Sequence, residues 1–189
     1  MFSSKIENLI LIGASTGGPG FIKSIISALT DEINGIIIIA QHMSKVHLES
    51  FCRSLNSINS ISVEFVREAT KLSNGTIYIL GDTAVLTRKK NNLYLKNIND
   101  GFYHPTIDEL FFSAALLQQI NISAYLLSGI GKDGARGLLT LKNANFQTIA
   151  QDKMSSIVYG MPKSAFELNA VQKVMSIDEI IYDIKLKVC

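Results

Sequence analysis

The chain of 189 residues lacks any long apolar run. Its longest unbroken apolar stretch, residues 36–40, is far shorter than the roughly 20 residues that a membrane-spanning helix needs. The N-terminus also lacks the apolar segment of a secretory signal peptide. The sequence therefore predicts a cytoplasmic protein that does not insert directly into a membrane.

Concentrated basic charge and paired cysteines are absent as well. The 18 Lys and Arg residues against 16 Asp and Glu residues give a net charge of only +2, and they are scattered. A nucleic-acid-binding face needs denser positive charge than this. Cys52 and Cys189 have neither a C-x-x-C partner nor metal-ligand spacing, which predicts reduced thiols. We expect no nucleic-acid partner, no metal and no cofactor.

The sequence also has no internal repeat and no linker rich in Pro, Gly or Ser. Its hydrophobic fraction of 47% and charged fraction of 18% are those of an ordinary globular protein. The length fits one large domain with a full core. We expect a single domain over residues 1–189, and a monomer.

Unbroken apolar runs alternate with stretches of helical periodicity along the chain. Such runs are typical of strands that are covered on both faces, as in a parallel sheet. They occupy residues 9–12, 36–40 and 124–127. Apolar residues at helical spacing occupy residues 21–29, 48–55 and 106–120. Thr106 and Ser176 are each followed three residues later by Glu, a pattern that predicts a capping box at a helix start.

The middle of the chain has a different pattern. Short strand candidates there are separated by Asn, Gly and Asp, which favour turns and predict an antiparallel insertion or edge. They are residues 62–65, 76–80, 84–87 and 93–98. The predicted fold class is α/β, a doubly wound and mainly parallel sheet with a small antiparallel hairpin region.

Three polar residues follow predicted buried strands. Ser15 follows the first strand, His42 the second and Asp133 a later one. In open parallel sheets, ligands bind at the carboxyl ends of the strands. An alcohol, a base and an orienting carboxylate are the set that nucleophilic catalysis at serine needs.

Glycines surround these residues and suggest how the backbone could assist. Gly17 and Gly18 permit a tight turn into the next helix and leave Ser15 uncrowded. Gly129 and Gly131 flank Ile130, so the backbone N–H of Ile130 could face a developing oxyanion.

Each feature also has a simpler interpretation. The turn at residues 13–18 could hold a phosphate group in a nucleotide-binding module, although it lacks both G-x-G-x-x-G and the Lys of a P-loop. His42 could be a hydrogen-bonded core histidine. Asp133 could cap the helix that begins near Gly134. A catalytic role is favoured only by the joint placement of the three residues.

Three segments resemble the catalytic domain of chemotaxis-specific protein-glutamate methylesterases. Residues 12–18 resemble the nucleophile turn of that family, residues 41–43 its histidine segment, and residues 129–135 its aspartate loop. Three further segments also match in order, at residues 105–108, 149–151 and 159–162. The resemblance extends from about Leu9 to about Ile177.

The resemblance implies an activity and a role for each residue. Ser15 would be the nucleophile, His42 the general base and Asp133 the orienting carboxylate, with Thr16 beside them and Ile130 as a backbone donor. The substrate would be a glutamyl γ-methyl ester on the cytoplasmic helical part of a methyl-accepting chemotaxis receptor, with methanol released. Some members also deamidate receptor glutamines. A receptor-binding protein without activity is the other interpretation, which the complete triad disfavours.

The chain differs from the usual family pattern at several positions. Ser44 stands where the family often has Pro, His104 where it often has Arg, and Ile130 where Met is usual. The change at position 104 bears on receptor affinity if the Arg contacts substrate. Most members also carry a phosphorylatable receiver domain before the catalytic one, whereas residues 1–8 contain a single acid, Glu7. We therefore expect constitutive activity that phosphodonors do not change.

Overall fold

The computed structural model describes residues 7–30, 32–98 and 105–189. The strands, in chain order, are β1 Asn8–Ala14, β2 Ile36–Gln41, β3 Ser62–Val66, β4 Thr70–Lys71, β5 Thr76–Leu80, β6 Ala84–Lys89, β7 Asn92–Asn97, β8 Asn121–Leu126, β9 Gln147–Gln151 and β10 Lys173–Met175. The helices are α1 Gly18–Ala28, α2 Lys45–Asn56, α3 Ile107–Ala114, α4 Ala135–Asn143, α5 Met161–Glu167 and α6 Ile177–Val188.

Seven strands form one parallel sheet in the order β10-β9-β8-β1-β2-β5-β3. Strand β1 lies in the middle, with β2 on one side and β8 on the other. Its side chains alternate between two cores: Leu9 and Leu11 face one, and Ile10 and Ile12 face the other. Because both faces are covered by helices, the strand reads as an unbroken apolar run, and the predicted doubly wound fold is confirmed.

The antiparallel region is smaller than the sequence suggested. A separate sheet of order β4-β7-β6 contains the hairpin of β6 and β7. By contrast, β5 pairs in parallel with β2, and β3 is the parallel edge strand beside it. Every residue of β5 is buried. Because β5 is buried on both faces, it lies inside the main sheet. Its short length and flanking turns made it look like a hairpin strand in the sequence.

Two of the predicted helix boundaries need correction. The helix expected over residues 106–120 ends at Ala114, because the chain must turn back before β8 begins at Asn121 beside β1. Thr106 precedes that helix but makes no capping hydrogen bond with its side chain. The capping box at Ser176 is confirmed, since its hydroxyl accepts from the N–H of Glu179 while the Glu179 carboxylate accepts from the N–H of Ser176.

The helices are short. The longest have 12 residues, and within the described ranges no helix is long and apolar enough to span a membrane.

Candidate active site

Ser15 and His42 lie on neighbouring turns at the carboxyl edge of the sheet. Their preceding residues, Ala14 and Gln41, are partners in the β1–β2 ladder. The ladder continues for one more bond, since the N–H of His42 donates to the carbonyl of Ala14 at 2.9 Å. Adjacent strands are about 4.8 Å apart. The parallel pairing therefore brings the two residues side by side, although they are 27 positions apart in the sequence.

His42 is hydrogen-bonded to Asp133, which follows the strand on the other side of β1. Its Nε2 lies 2.7 Å from Oδ2 of Asp133, and only 12% and 7% of the two side chains are exposed. Asp133 belongs to the loop that follows β8. A carboxylate acceptor favours the tautomer with the proton on Nε2, so Nδ1 carries the lone pair that can act as a base.

Asp133 also caps a helix, but not the one that the sequence suggested. Its Oδ2 accepts from the N–H of Ile107 at 2.8 Å, and its Oδ1 accepts from the N–H of Asp108 at 3.0 Å, so it caps α3. Helix α4, which starts after Gly134, has no side-chain cap. Thr106 was therefore the wrong residue for the cap of α3, and the carboxylate 26 residues after Ile107 takes its place.

The environment of Asp133 favours its ionised form. Burial by itself would raise the pKa of the carboxyl, but the hydrogen bonds from His42, Ile107 and Asp108 outweigh it and lower the pKa below its usual value. Helix α3 also directs the positive end of its dipole at this carboxylate.

Asp108 has the opposite balance. Burial raises its pKa, and the nearby Asp133 carboxylate adds to the rise, against a hydrogen bond from the N–H of Gly137. That bond, 2.7 Å long, ties the first turn of α3 to α4. Asp108 is therefore a structural link beside the site.

The nucleophile turn is held in place by Ser128, which is fully buried at the end of β8. The carbonyl of Ser128 accepts from the N–H of Ser15 at 3.0 Å. Its hydroxyl donates to the carbonyl of Thr16 at 2.7 Å and accepts from the N–H of Val158 at 2.9 Å. The carbonyl and the hydroxyl of one residue, Ser128, thus fix the backbone on both sides of the Ser15–Thr16 peptide bond.

Two buried glutamines complete this support. The amide of Gln41 donates from Nε2 to the carbonyls of Ser15, at 2.9 Å, and of His42, at 3.0 Å. Gln151 accepts from the N–H of Ser128 at 2.8 Å. Gln41 therefore connects the turn that carries the nucleophile to the turn that carries the base. Its Oε1 is buried without a hydrogen-bond partner and lies against Gly18.

Sequence reasoning assigned no role to Gln41, Ser128 or Gln151. One signal was present in the sequence: each glutamine is the last residue of a strand and follows a run of at least three buried residues. A buried amide at the active edge of a sheet needs partners, which the neighbouring turns supply.

The loop after β8 packs directly on Ser15. A Cβ on Gly129 would lie 2.6 Å from Cβ of Ser15 and 2.3 Å from the sulfur of Met161, so only glycine fits there. Ile130 follows this contact and is 68% exposed. Thr16 is exposed on the nucleophile turn. Within the described residues, the N–H groups of Thr16 and Ile130 donate to no acceptor, which leaves both available to a ligand.

Other residues singled out from the sequence lie farther from the chemistry. Ser44 is exposed before α2 and its hydroxyl lies 3.1 Å from Nδ1 of His47. His104 lies outside the described residues.

An apolar side chain lies over the turn that could have held a phosphate. Ile157 contacts Gly17, where a Cβ would lie 2.9 Å from its Cδ1. Helix α1 starts immediately afterwards, with Gly17 as its N-cap. A phosphate cradled at this helix start would meet that isoleucine, which disfavours the nucleotide-binding interpretation.

Comparisons with known proteins point to one family. Residues 10–184 match the family model described as CheB methylesterase. The protein-glutamate methylesterase/protein-glutamine glutaminase of Methylobacillus flagellatus is 37% identical over 179 residues, which cover 92% of this chain and 50% of that protein. The protein of the same name from Sulfurimonas denitrificans is 36% identical over 185 residues, which cover 95% and 52%. The chain thus spans about half the length of these curated relatives.

A solved structure has the same fold. The crystal structure of the Thermotoga maritima CheB methylesterase catalytic domain superposes with a TM-score of 0.88 at 27% sequence identity. The match covers 95% of this chain and 97% of that one.

Proposed function

Because the chain belongs to the CheB methylesterase family, we propose that it is a serine hydrolase that demethylates glutamyl γ-methyl esters on chemotaxis receptors. The observation that carries the proposal is the convergence of Ser15, His42 and Asp133 on the ends of three adjacent strands. The bond of 2.7 Å between His42 and Asp133 supplies an oriented base beside the serine. The names of the relatives point to methylated protein glutamates as the substrate and add glutamine deamidation.

The first half of the reaction forms an acyl-enzyme. The hydroxyl oxygen of Ser15 attacks the ester carbonyl while Nδ1 of His42 takes its proton. Nε2–H of His42 stays bonded to Asp133, whose negative charge stabilises the imidazolium. The N–H groups of Thr16 and Ile130 receive the oxyanion. Methanol then leaves with the proton that His42 returns.

The second half regenerates the serine. Water attacks the glutamyl-serine ester, His42 takes its proton, and the same N–H groups hold the second oxyanion. Collapse releases the glutamate carboxylate and returns the proton to Ser15. A glutamine substrate follows the same steps with ammonia as the leaving group.

Mass spectrometry of receptor peptides tests both reactions. A methylated cytoplasmic receptor fragment incubated with the chain should convert glutamyl methyl esters, and then glutamines, to glutamate. Ser15→Ala should leave both unchanged. Conversion at the wild-type rate by Ser15→Ala would contradict the proposal, and intact receptor binding without conversion by the wild type would favour an inactive receptor-binding protein.

A nucleotide titration tests the alternative function, a nucleotide-binding module. A fluorescent ATP analogue should show no saturable binding, because Ile157 covers the helix start. Saturable binding that phosphate displaces, together with no labelling of Ser15 by a serine-directed phosphonate, would support a nucleotide-binding module instead.

A further inference from the structure

Three segments at the carboxyl edge of the sheet repeat one pattern around the active site. Each places an exposed lysine next to, or two residues from, an exposed apolar residue. We call these six residues the rim: Lys45 and Val46, Ile130 and Lys132, and Lys153 and Met154. Lys45 and Val46 begin α2 shortly after β2, and the other two pairs lie in the loops after β8 and β9. The nucleophile turn after β1 lies between the segments that follow β2 and β8.

We propose that the rim docks an amphipathic helix of the substrate that has an acidic flank, and that it places the ester of the middle turn over Ser15. The inference rests on the proposed function and deepens it. In this proposal the rim is the part of the molecule that selects a helical protein substrate. The chemical step uses nothing of the rim except the backbone of Ile130.

The dimensions of the sheet match those of a helix. Strands repeat every 4.7–4.9 Å or so across a sheet, so β2 to β9 spans about 14 Å at the loops. One helical turn rises about 5.4 Å, so about ten residues of helix cover that span. Successive turns of a helix laid across the edge therefore meet successive loops. Apolar residues at a spacing of three and four would face Val46, Ile130 and Met154 along one stripe.

The apolar rim residues are largely exposed to solvent. Val46 is 77%, Ile130 68% and Met154 91% exposed. A single exposed apolar residue needs no explanation. Three of them on segments that flank the half-buried Ser15 form a surface that excludes water when covered.

The charge of the rim is positive. Among the described residues, neither Lys132 nor Lys153 forms an ion pair, whereas Lys45 lies 3.8 Å from Asp82. The two acids of residues 128–134 and 152–160 are engaged inside the fold: Asp133 is buried, and Asp152 accepts hydrogen bonds from Ser155. An acidic flank on the docked helix complements this charge, and the positive rim repels basic surfaces.

Variants of Lys153 and Met154 test the rim without touching the catalytic groups. Two substrates separate docking from chemistry: a methylated cytoplasmic receptor fragment, and the single-residue ester N-acetyl-glutamate γ-methyl ester amide. For the fragment, Lys153→Glu and Met154→Ser should each raise KM by about fivefold and leave kcat within about twofold. Neither should change hydrolysis of the single-residue ester. Added salt should raise KM for the wild type more than for Lys153→Glu.

The chain offers a matched control pair. Lys185 and Leu186 are also an adjacent exposed lysine and apolar residue, and Leu186 is 67% exposed. They lie near the end of α6, where the carbonyl of Lys187 accepts from Asn8 at the start of β1, on the opposite edge of the sheet. Lys185→Glu and Leu186→Ser should leave both substrates unaffected.

Several results would overturn the proposal. If Lys153→Glu and Met154→Ser gave the same KM for the fragment as the Lys185 and Leu186 variants, the rim would not dock substrate. An equal loss on the single-residue ester would show damage to the catalytic site rather than docking. Concentration-dependent dimerisation that Lys153→Glu abolishes would assign the rim to a second copy of the chain. A wild type that hydrolyses neither substrate would overturn the proposed function as well. This result is distinct from a failure of the docking proposal alone, because it is seen without any variant.

Discussion

The carboxylate of Asp133 has two roles at the scale of a single residue, and they depend on each other. It orients His42 through Oδ2, and it caps α3 through hydrogen bonds from Ile107 and Asp108. The cap holds the carboxylate still, and the donors keep it ionised by lowering its pKa. The residue that orients the base therefore also stabilises the fold.

This double role makes the stability contribution of Asp133 depend on pH. A carboxyl whose folded pKa is lowered stabilises the fold fully above its unfolded pKa, about 3.9, and loses that contribution as pH falls through the folded value. At neutral pH, Asp133→Asn should lower the free energy of unfolding by about 1–3 kcal/mol. The difference from wild type should shrink below about pH 4.

Urea denaturation at several pH values measures this difference. Asp178→Asn, in the exposed first turn of α6, controls for the general loss of one negative charge. A difference for Asp133→Asn that stays constant down to about pH 3 would show that the carboxylate is not stabilised in the folded state.

Gln41 acts through other residues rather than on substrate. Gln41→Met keeps the length of the side chain but removes the two N–H donors to the carbonyls of Ser15 and His42. Since the two catalytic turns lose their shared tie, we expect kcat to fall by about ten- to a hundredfold, with KM little changed. Steady-state kinetics on the receptor fragment measures the split. A rise in KM at unchanged kcat would place Gln41 in substrate binding instead.

At the scale of elements, the loop after β8 is positioned by its close approach to Ser15. Gly129→Ala would place a methyl group 2.6 Å from Cβ of Ser15 and 2.3 Å from the sulfur of Met161. The loop must then move, taking the N–H of Ile130 with it. Loss of one oxyanion donor typically costs about 10²–10³ in rate, so at least that loss is expected.

Gly20 provides the control for this substitution. A Cβ there meets nothing within 4 Å, and the residue lies inside α1. Gly20→Ala should therefore stabilise the fold slightly and leave the methanol-release rate unchanged. Near-normal activity of Gly129→Ala would mean that the loop position does not determine the rate.

The elements also show what a sequence can and cannot predict. The buried strands β1, β2 and β8 could be predicted because they are unbroken apolar runs, and the three triad candidates because each follows such a run. The sheet assignment of β3 and β5 could not, since short strands between turns look alike whether they pair with a hairpin or with the main sheet. The cap of α3 was missed because its donor groups and its carboxylate are distant in sequence. The roles of Ser128 and Gln41 depend on contacts between strands that only the folded chain specifies.

At the scale of the whole molecule, the site exists because seven parallel strands end on one edge. Helices cover both faces of the sheet and leave that edge open between α1, α2 and α4, where the catalytic turns lie. Its opposite edge holds the end of α6 beside the start of β1. The monomeric state, the single domain over residues 1–189 and the cytoplasmic location stay predictions.

The most direct test of the central claim is methanol release from receptor membranes that carry methylated glutamates. The wild-type chain should release methanol, and Ser15→Ala, at equal protein stability, should release none above background because the nucleophile is gone. His42→Ala should lose nearly as much, and the double variant should be little worse than either single one, since the residues act as a unit. Methanol release by Ser15→Ala at a rate near that of the wild type would contradict the account.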